Sequence, residues 1–169
     1  DYPEWSDRGD GPGAPVAVHL PNSPVISTGK RDGSKIRLPN GNYLEETASY
    51  FVMVETKTGG FTPALITMKS TQLNVSKKWN SMMKTIQIPD GKGGFAIPPM
   101  HGVVYNLAST LQKNDKGSWY GWVVTQDRIM GQDDKSLYLS AKEFAGNVSK
   151  GSVQTKADVE EKVSDSTPY

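Results

Sequence analysis

Residues 47–69 read TASYFVMVETKTGGFTPALITMK, and the first clear β signals of the chain lie here. The segment 47–57 is rich in β-branched and aromatic residues, which predicts a strand, and the segment 61–69 predicts a second one. TGG at 58–60 is a turn signal. We therefore expect an antiparallel hairpin. Pro63 cannot donate to a ladder, so it belongs at an edge or near the start of its strand.

A cationic helix is expected directly after this hairpin. The stretch KSTQLNVSKKWNSMMK at 69–84 contains four lysines and no acidic residue. Ser70 is placed to serve as an N-cap. The apolar residues that follow recur at helical spacing and are Val75, Trp79, Met82, Met83 and Ile86. The spacing predicts an amphipathic helix whose apolar stripe includes Trp79 and whose lysines lie off that stripe.

A second hairpin and a second helix follow. VVYNLASTLQ at 103–112 and SWYGWVVTQD at 118–127 predict strands, and NDKG at 114–117 predicts the turn between them. Apolar residues at helical spacing predict a C-terminal helix over about 135–149. We expect 150–169 to be a flexible, mildly acidic tail.

The beginning of the chain has a different character. DYPEWS at 1–6 is expected to end a strand, whereas 7–46 is rich in Gly, Pro, Asn and Ser and predicts a long loop. A loop of that length inside a compact domain is usually functional or disordered. Because the first residue is Asp1 rather than Met, we expect the natural protein to begin earlier.

The order of these elements predicts a mainly β fold with two helices. We expect a five-stranded OB-fold-like barrel with a helix between strands three and four and a further helix at the C-terminus. The alternative is a generic α+β sandwich. Residues 1–149 would form a single nucleic-acid-binding domain, with 7–46 as the loop between strands one and two.

Composition and charge narrow the function. The chain has 169 residues and no cysteine, which excludes disulfides, thiolate zinc sites and cysteine nucleophiles and is typical of a reducing cytoplasm. The net charge is +5 from Lys57 to Lys92 and −2 from Gly151 to Tyr169. No apolar run approaches the ~20 residues of a membrane span. A cationic middle favours an anionic partner, and a solvated lysine face is the alternative.

Signals for catalysis are weak. His19 and His101 are the only histidines, and neither has a metal-ligand partner at short spacing. No zinc-protease, nucleophile-elbow or Walker motif occurs. GKGGF at 91–95 is rich in glycine, but no strand leads directly into it and no helix follows, which argues against a phosphate cradle. We expect no enzymatic activity, no catalytic residue, no metal and no cofactor.

Binding of single-stranded nucleic acid requires cations along the phosphates and flat side chains beneath the bases. The candidate residues are Lys30, Arg31, Lys35, Arg37, Tyr50, Lys69, Lys77, Trp119 and Trp122. The first four lie in the predicted loop and suit a phosphate clamp. Strand alternation places Trp119 on one face and Trp122 with Tyr120 on the other. Packing in the core is the alternative for each aromatic residue.

Four strings are similar to a group of tailed-bacteriophage early proteins, the phage single-stranded DNA-binding proteins of OB-fold type. They are RLPNGNYLEETASYFV at 37–52, PALITMKSTQLNVSKKWNSMM at 63–83, FAIPPM at 95–100 and NDKGSWYGW at 114–122. The resemblance covers roughly residues 1–151. It implies a protein that coats single strands without strong sequence preference during phage DNA replication and recombination, in the cytoplasm of the infected bacterial host.

The resemblance also implies partners. Proteins of this class carry an acidic tail with a terminal aromatic residue that contacts phage or host replication proteins, and this chain ends in Tyr169. Homo-oligomerisation is left open, and no membrane association is expected. The alternative function is a phage virion or assembly protein whose hairpins make protein–protein contacts. It predicts a stable oligomer and an exposed apolar patch.

Overall fold

The computed structural model describes residues 1–7, 15–58, 60–115 and 117–153. These residues are mainly β, with three α-helices rather than the two predicted. The strands are β1 (Tyr2–Trp5), β2 (Ala17–His19), β3 (Lys30–Asp32), β4 (Lys35–Arg37), β5 (Tyr43–Glu45), β6 (Thr47–Glu55), β7 (Phe61–Lys69), β8 (Ile88–Pro89), β9 (Phe95–Ala96), β10 (Val103–Asn114) and β11 (Gly117–Ile129). The α-helices are α1 (Pro24–Thr28), α2 (Leu73–Thr85) and α3 (Lys135–Ser149).

The chain divides into two compact units, which are described separately below. Unit 1 contains Asp1–Leu73, and unit 2 contains Asn74–Gln154. Unit 1 therefore holds β1 to β7 with α1, and unit 2 holds the remaining strands with α3 and nearly all of α2. The predicted tail lies outside the described residues from position 154 onward.

The first hairpin and its helix are present as the sequence predicts. β6 and β7 pair antiparallel in a continuous register from Thr47 opposite Lys69 to Glu55 opposite Phe61. A 3₁₀ turn at Ser70–Gln72 leads into α2. The prediction of a Ser70 N-cap is wrong, because Ser70 is the first residue of the 3₁₀ turn, whose N-cap position is Lys69, and Ser70 has a positive φ of 51°. Its left-handed backbone instead turns the chain from strand to helix.

The expected long loop contains regular structure. Its described part, 15–46, holds α1 and four short strands, and with β1 these strands form a five-stranded sheet in the order β2-β1-β5-β4-β3. One face of this sheet carries the small core of unit 1, made of Ile36, Leu38 and Leu44. α1 packs Val25 and Ile26 against that core. Each of the four strands has three residues, which is too short for alternation to show in the sequence.

The predicted barrel is not confirmed. The described strands form one five-stranded sheet and three separate two-stranded sheets, β6–β7, β8–β9 and β10–β11, and none of these sheets is closed. Alternation in a sequence shows which face of a strand is apolar. It does not show which strand edges join, and closure depends on that choice.

Unit 2 is built around the long β10–β11 ribbon. Its register runs from Val103 opposite Ile129 to Asn114 opposite Gly117, with a bulge beside Tyr105. α2 packs against the base of the ribbon, where the rings of Trp79 and Tyr105 meet edge to face with centroids 5.6 Å apart. The predicted C-terminal helix is confirmed as α3.

A buried carboxylate connects three segments of unit 1. Glu4 is 7% exposed and accepts hydrogen bonds from Asn42 Nδ2 at 2.6 Å and Asn40 Nδ2 at 3.2 Å. His19 Nε2 lies 2.7 Å from its other oxygen. The pKa of Glu4 is lowered because the bonds from Asn42 and His19 favour the charged carboxylate more than burial disfavours it. This cluster joins β1 to β2 and to the turn before β5.

Candidate nucleic-acid interface

One surface of α2 is cationic and free of acidic residues. Ser76 and Trp79 are buried on the inner side of the helix. The exposed side carries three lysines together with amide and hydroxyl groups: Asn74, Lys77, Lys78, Asn80, Ser81, Lys84 and Thr85. None of these lysines forms an ion pair with any of the described residues. The helix thus presents three positive charges to solvent.

The apolar face of the β10–β11 ribbon lies next to this helix. Alternation places Tyr105, Leu107 and Leu111 of β10 on one face, opposite Gln126, Val124 and Tyr120 of β11, with Trp122 between. Tyr120 is 73% exposed and Trp122 is 37% exposed. Their side chains leave the strand about 7 Å apart, since they are two residues apart. Two flat rings therefore stand in a row on an accessible sheet surface.

α2 contacts the face of the ribbon that carries the exposed rings. Trp79 contacts Tyr105, which stands on the ribbon face that carries Tyr120 and Trp122. α2 thus contacts this face at Tyr105, and Tyr120 and Trp122 lie farther along the same face, where they are exposed. We call the lysines of α2 together with Tyr120 and Trp122 the aromatic–lysine surface.

Trp119 does not belong to this surface. The register places Trp119 opposite Gln112 on the other face of the ribbon, which confirms the alternation expected from the sequence. Its side chain is half-buried, and its Nε1 is buried without a hydrogen-bond partner among the described residues. Trp119 and Trp122 therefore cannot stack bases on one continuous surface.

The loop cations of unit 1 are brought together only in part. Lys30 lies opposite Arg37 and Asp32 lies opposite Lys35, so these four residues share one face of the five-stranded sheet. Arg31 lies opposite Ile36, which is a core residue, and so it stands on the other face. Three of the four candidates thus form a group, and Arg31 is separated from them.

Acidic and aromatic neighbours already engage several of these cations. Arg37 donates to Asp7 at 2.6 Å and to Asp32 at 3.2 Å, and these bonds raise its pKa. The ammonium of Lys35 lies 3.7 Å from the centroid of the Tyr43 ring. A ligand would have to compete with these contacts at Arg37 and Lys35, whereas the exposed lysines of α2 have no ion-pair partner among the described residues.

The strand-end lysine is also engaged. Lys69 Nζ donates to Glu45 Oε2 at 3.3 Å, so its charge already has a carboxylate partner. Tyr50 is half-buried on β6, opposite Ile66, and it too belongs to unit 1. Of the nine predicted residues, Lys77 and Trp122 are the two that the structure places on the aromatic–lysine surface.

Sequence reasoning missed three members of that surface. Lys78 and Lys84 lie on the exposed side of the same helix as Lys77, and a helical projection of 73–85 would have shown all three together. Tyr120 shares a strand face with Trp122, and alternation alone could have added it.

One protein-family model matches most of this chain. The family model of the Pam3 phage gp34-like protein matches residues 1–154. The chain belongs to this family. Comparisons with curated proteins and with solved structures found no match. Membership in the gp34-like family supports the bacteriophage origin that the resemblance implied.

The glycine-rich segment of this gp34-like chain has a structural explanation. Asp90 Oδ1 accepts from the backbone N–H groups of Lys92 at 2.8 Å and Gly94 at 2.9 Å, closing the turn between β8 and β9. These bonds lower the pKa of Asp90. The amides of Lys92 and Gly94 are thus directed at Asp90 and are not available to a phosphate.

Within the described ranges, no three His, Asp or Glu side chains are grouped closely enough to hold a metal ion. None of the helices in those ranges combines the length and the apolar character that a bilayer-crossing helix needs.

Proposed function

We propose that this gp34-like chain is a non-enzymatic single-stranded DNA-binding protein that coats DNA during phage replication and recombination. The aromatic–lysine surface of unit 2 carries the proposal. It combines three lysines unpaired among the described residues with exposed rings on an adjoining sheet face. Cations for phosphates and flat rings for bases are the two requirements for binding an unpaired strand.

The phosphates would lie along α2. Lys77 and Lys84 are seven residues apart and point in nearly the same direction, so their attachment points are about 10 Å apart along the helix. Asn80 and Ser81 lie between them on the exposed side and can donate hydrogen bonds to phosphate oxygens. The absence of acidic residues from this side of the helix removes the repulsion that a polyanion would otherwise meet.

The bases would stack on Tyr120 and Trp122. Stacking on aromatic rings tolerates any base, because every base has a flat π-face. Selection of one base by paired hydrogen bonds needs a group such as a guanidinium or a carboxylate. Neither group occurs among the residues of this ribbon face from Leu107 to Leu111. The surface therefore favours binding without strong sequence preference.

A titration with fluorescein-labelled oligo-dT at 50 mM and 200 mM NaCl tests the function. We expect binding that weakens with salt, with a slope of log K against log salt of about −2 or steeper, because three neutralised phosphates contribute about −0.7 each. A blunt duplex of equal length is the control and should bind more weakly. Absence of oligo-dT binding at 50 mM NaCl would rule out the proposal.

Removal of the most exposed ring should weaken binding measurably. We expect Tyr120→Ala to lower the affinity for oligo-dT by roughly 5- to 150-fold, the equivalent of about 1–3 kcal/mol for one stacked base. Phe95→Ala is the matched control, because Phe95 on β9 is also highly exposed (72%) and lies outside the aromatic–lysine surface. Equal affinities of the two variants in the same titration would show that Tyr120 carries no base.

A virion or assembly role is the second candidate. The observation in its favour is apolar exposure on both long hairpins, at Phe51, Leu65, Leu111 and Tyr120. An exposed contiguous apolar patch is a mark of protein–protein contact. This role would give an oligomer whose size does not change when oligo-dT is added. Contact of the tail with replication proteins and a location in the host cytoplasm remain parts of the first proposal.

A further inference from the structure

One edge of the β6–β7 hairpin is open along most of its length. Thr47 at the start of β6 exchanges two backbone hydrogen bonds with Asp1, at 2.9 and 3.0 Å. Because backbone groups alternate in direction along a strand, Ser49, Phe51, Met53 and Glu55 point their N–H and C=O groups the same way as Thr47. No described residue pairs with β6 on that side beyond Thr47.

The two edges of the hairpin differ in how they are protected. On β7, Pro63 lies opposite Met53, at a position whose backbone nitrogen faces outward, so the outer edge of β7 lacks a donor there. β6 has neither a proline nor a charged residue from Thr47 to Val54. Proteins normally protect edge strands with proline, lysine or short length. β6 has nine residues and none of these devices.

Apolar side chains accompany the open edge. Phe51 of β6 lies opposite Leu65 of β7, and the two are 39% and 41% exposed. Met53 lies opposite Pro63 on the same face. A partner strand placed beside β6 would cover these side chains as well as pair with the backbone.

We propose that β6 pairs antiparallel with β6 of a second copy of this chain over Ser49–Glu55. Antiparallel pairing of a strand with itself is two-fold symmetric, and here the axis would pass through Val52. Phe51 would lie opposite Met53 of the second copy, and Val52 would lie opposite Val52. The two hairpins then form one four-stranded sheet with the Pro63 edges outermost.

The sequence of the edge favours a second copy over an unrelated strand. The open segment has the same length in both copies, and its apolar residues face apolar residues about the axis. Its one charged residue, Glu55, would lie opposite Ser49, so no like charges are opposed. The Asp1 pairing ends at Thr47, next to the segment, and so leaves it clear.

This interface is independent of the proposed DNA surface. It lies in unit 1, whereas the aromatic–lysine surface lies in unit 2. DNA binding measured on the same samples therefore separates the two ideas, because either one can fail while the other holds.

Engineered disulfides test the register, since the chain has no cysteine of its own. In a non-hydrogen-bonded antiparallel pair the opposed Cα atoms are about 4.5 Å apart, which is within the ~4.4–6.8 Å range of a disulfide. Val52→Cys should therefore give a covalent dimer on mild oxidation, seen on a non-reducing gel. Val54→Cys is the control, because its two copies would be about 13 Å apart, four residues of strand.

The control is more exposed than the test position, which makes the comparison strict. Val54 is exposed and Val52 is half-buried, so random collision would link Val54→Cys faster. Linkage of Val54→Cys at an equal or higher rate than Val52→Cys would overturn the proposal.

Sedimentation of the full chain provides a second measurement. The native chain should sediment as a dimer, and Met53→Pro should sediment as a monomer, because it removes an outward N–H and no β6–β7 hydrogen bond. Phe51→Lys places a charge on the same edge and should also give a monomer. It replaces Met53→Pro in the test if circular dichroism shows that the proline variant is not folded. A native chain that is monomeric at 50 µM, or folded variants that both remain dimeric, would overturn the proposal.

Discussion

Replacement of Lys77, Lys78 and Lys84 together by glutamine should lower the affinity for oligo-dT about 100-fold at 0.1 M salt. Three phosphate contacts on a single strand contribute about −2 to the slope of log K against log salt. A slope of that size changes the binding constant about 100-fold between 0.1 and 1 M salt. The variant should therefore also show a slope smaller in magnitude by about 2. Glutamine retains a good helix propensity, so α2 should be preserved.

A matched charge change provides the control. Lys135, Lys142 and Lys150 are exposed at or beside α3, and their replacement by glutamine removes the same three charges from unit 2. This control should lose much less affinity and keep most of its salt slope. If both triple variants lose affinity equally, net charge rather than the surface of α2 drives binding, and the proposed position of the DNA is wrong.

Glu4→Gln should lower the free energy of unfolding by about 2–3 kcal/mol at pH 7, because a buried group that loses a charged partner costs roughly that much. Asn42, Asn40 and His19 all direct nitrogen atoms at the Glu4 carboxylate. Glutamine replaces one of the two acceptor oxygens by an amide nitrogen and removes the negative charge that strengthens the bonds from Asn42 and Asn40. Urea denaturation followed by circular dichroism measures the change.

The same carboxylate predicts a pH dependence. The folded-state pKa of Glu4 lies below its ordinary value of 4.5, mainly because Asn42 and His19 bond the charged form. Its contribution to stability is therefore complete above about pH 4.5 and is lost as the pH falls through the lowered pKa. The difference between the native chain and Glu4→Gln should therefore shrink as the pH falls from about 4.5 toward the lowered pKa.

The control for both measurements is Glu143→Gln. Glu143 is exposed on α3 and forms no ion pair with a described residue, so we expect its replacement to change stability by no more than about 0.5 kcal/mol. If Glu143→Gln and Glu4→Gln have equal effects at pH 7, the buried cluster does not contribute to stability.

Local pattern predicted the long elements well. β7 and α3 begin and end at the expected residues, and β6, β10 and β11 differ from prediction by two residues or fewer at each end. These segments carry many β-branched and aromatic residues or a long helical stripe, so their local preference and their burial agree. The short strands of 15–46 have no such length, and pairing within the five-stranded sheet stabilises them instead.

The candidate site was predicted only in part, because some of its properties are local in the sequence and others depend on contacts between distant residues. The cationic, acid-free character of 69–84 is a property of the sequence, and the exposed lysines of α2 follow from it. The sequence could not show that Arg37 would meet Asp7, thirty residues away, or that Lys69 would meet Glu45. Cations that look equivalent in one dimension therefore differ in how much charge they offer to a ligand.

Local sequence patterns account for the two hairpins, for the charged helix between them and for the face of β11 on which each tryptophan stands. All of these depend on contacts within a few residues or on the two-residue period of a strand. Three other features became visible only in the folded chain: the described sheets are open, β6 has a free edge among the described residues, and Trp79 contacts Tyr105. These features depend on which distant backbone groups and side chains meet, because edge pairing and ring packing are long-range contacts that local preference does not encode.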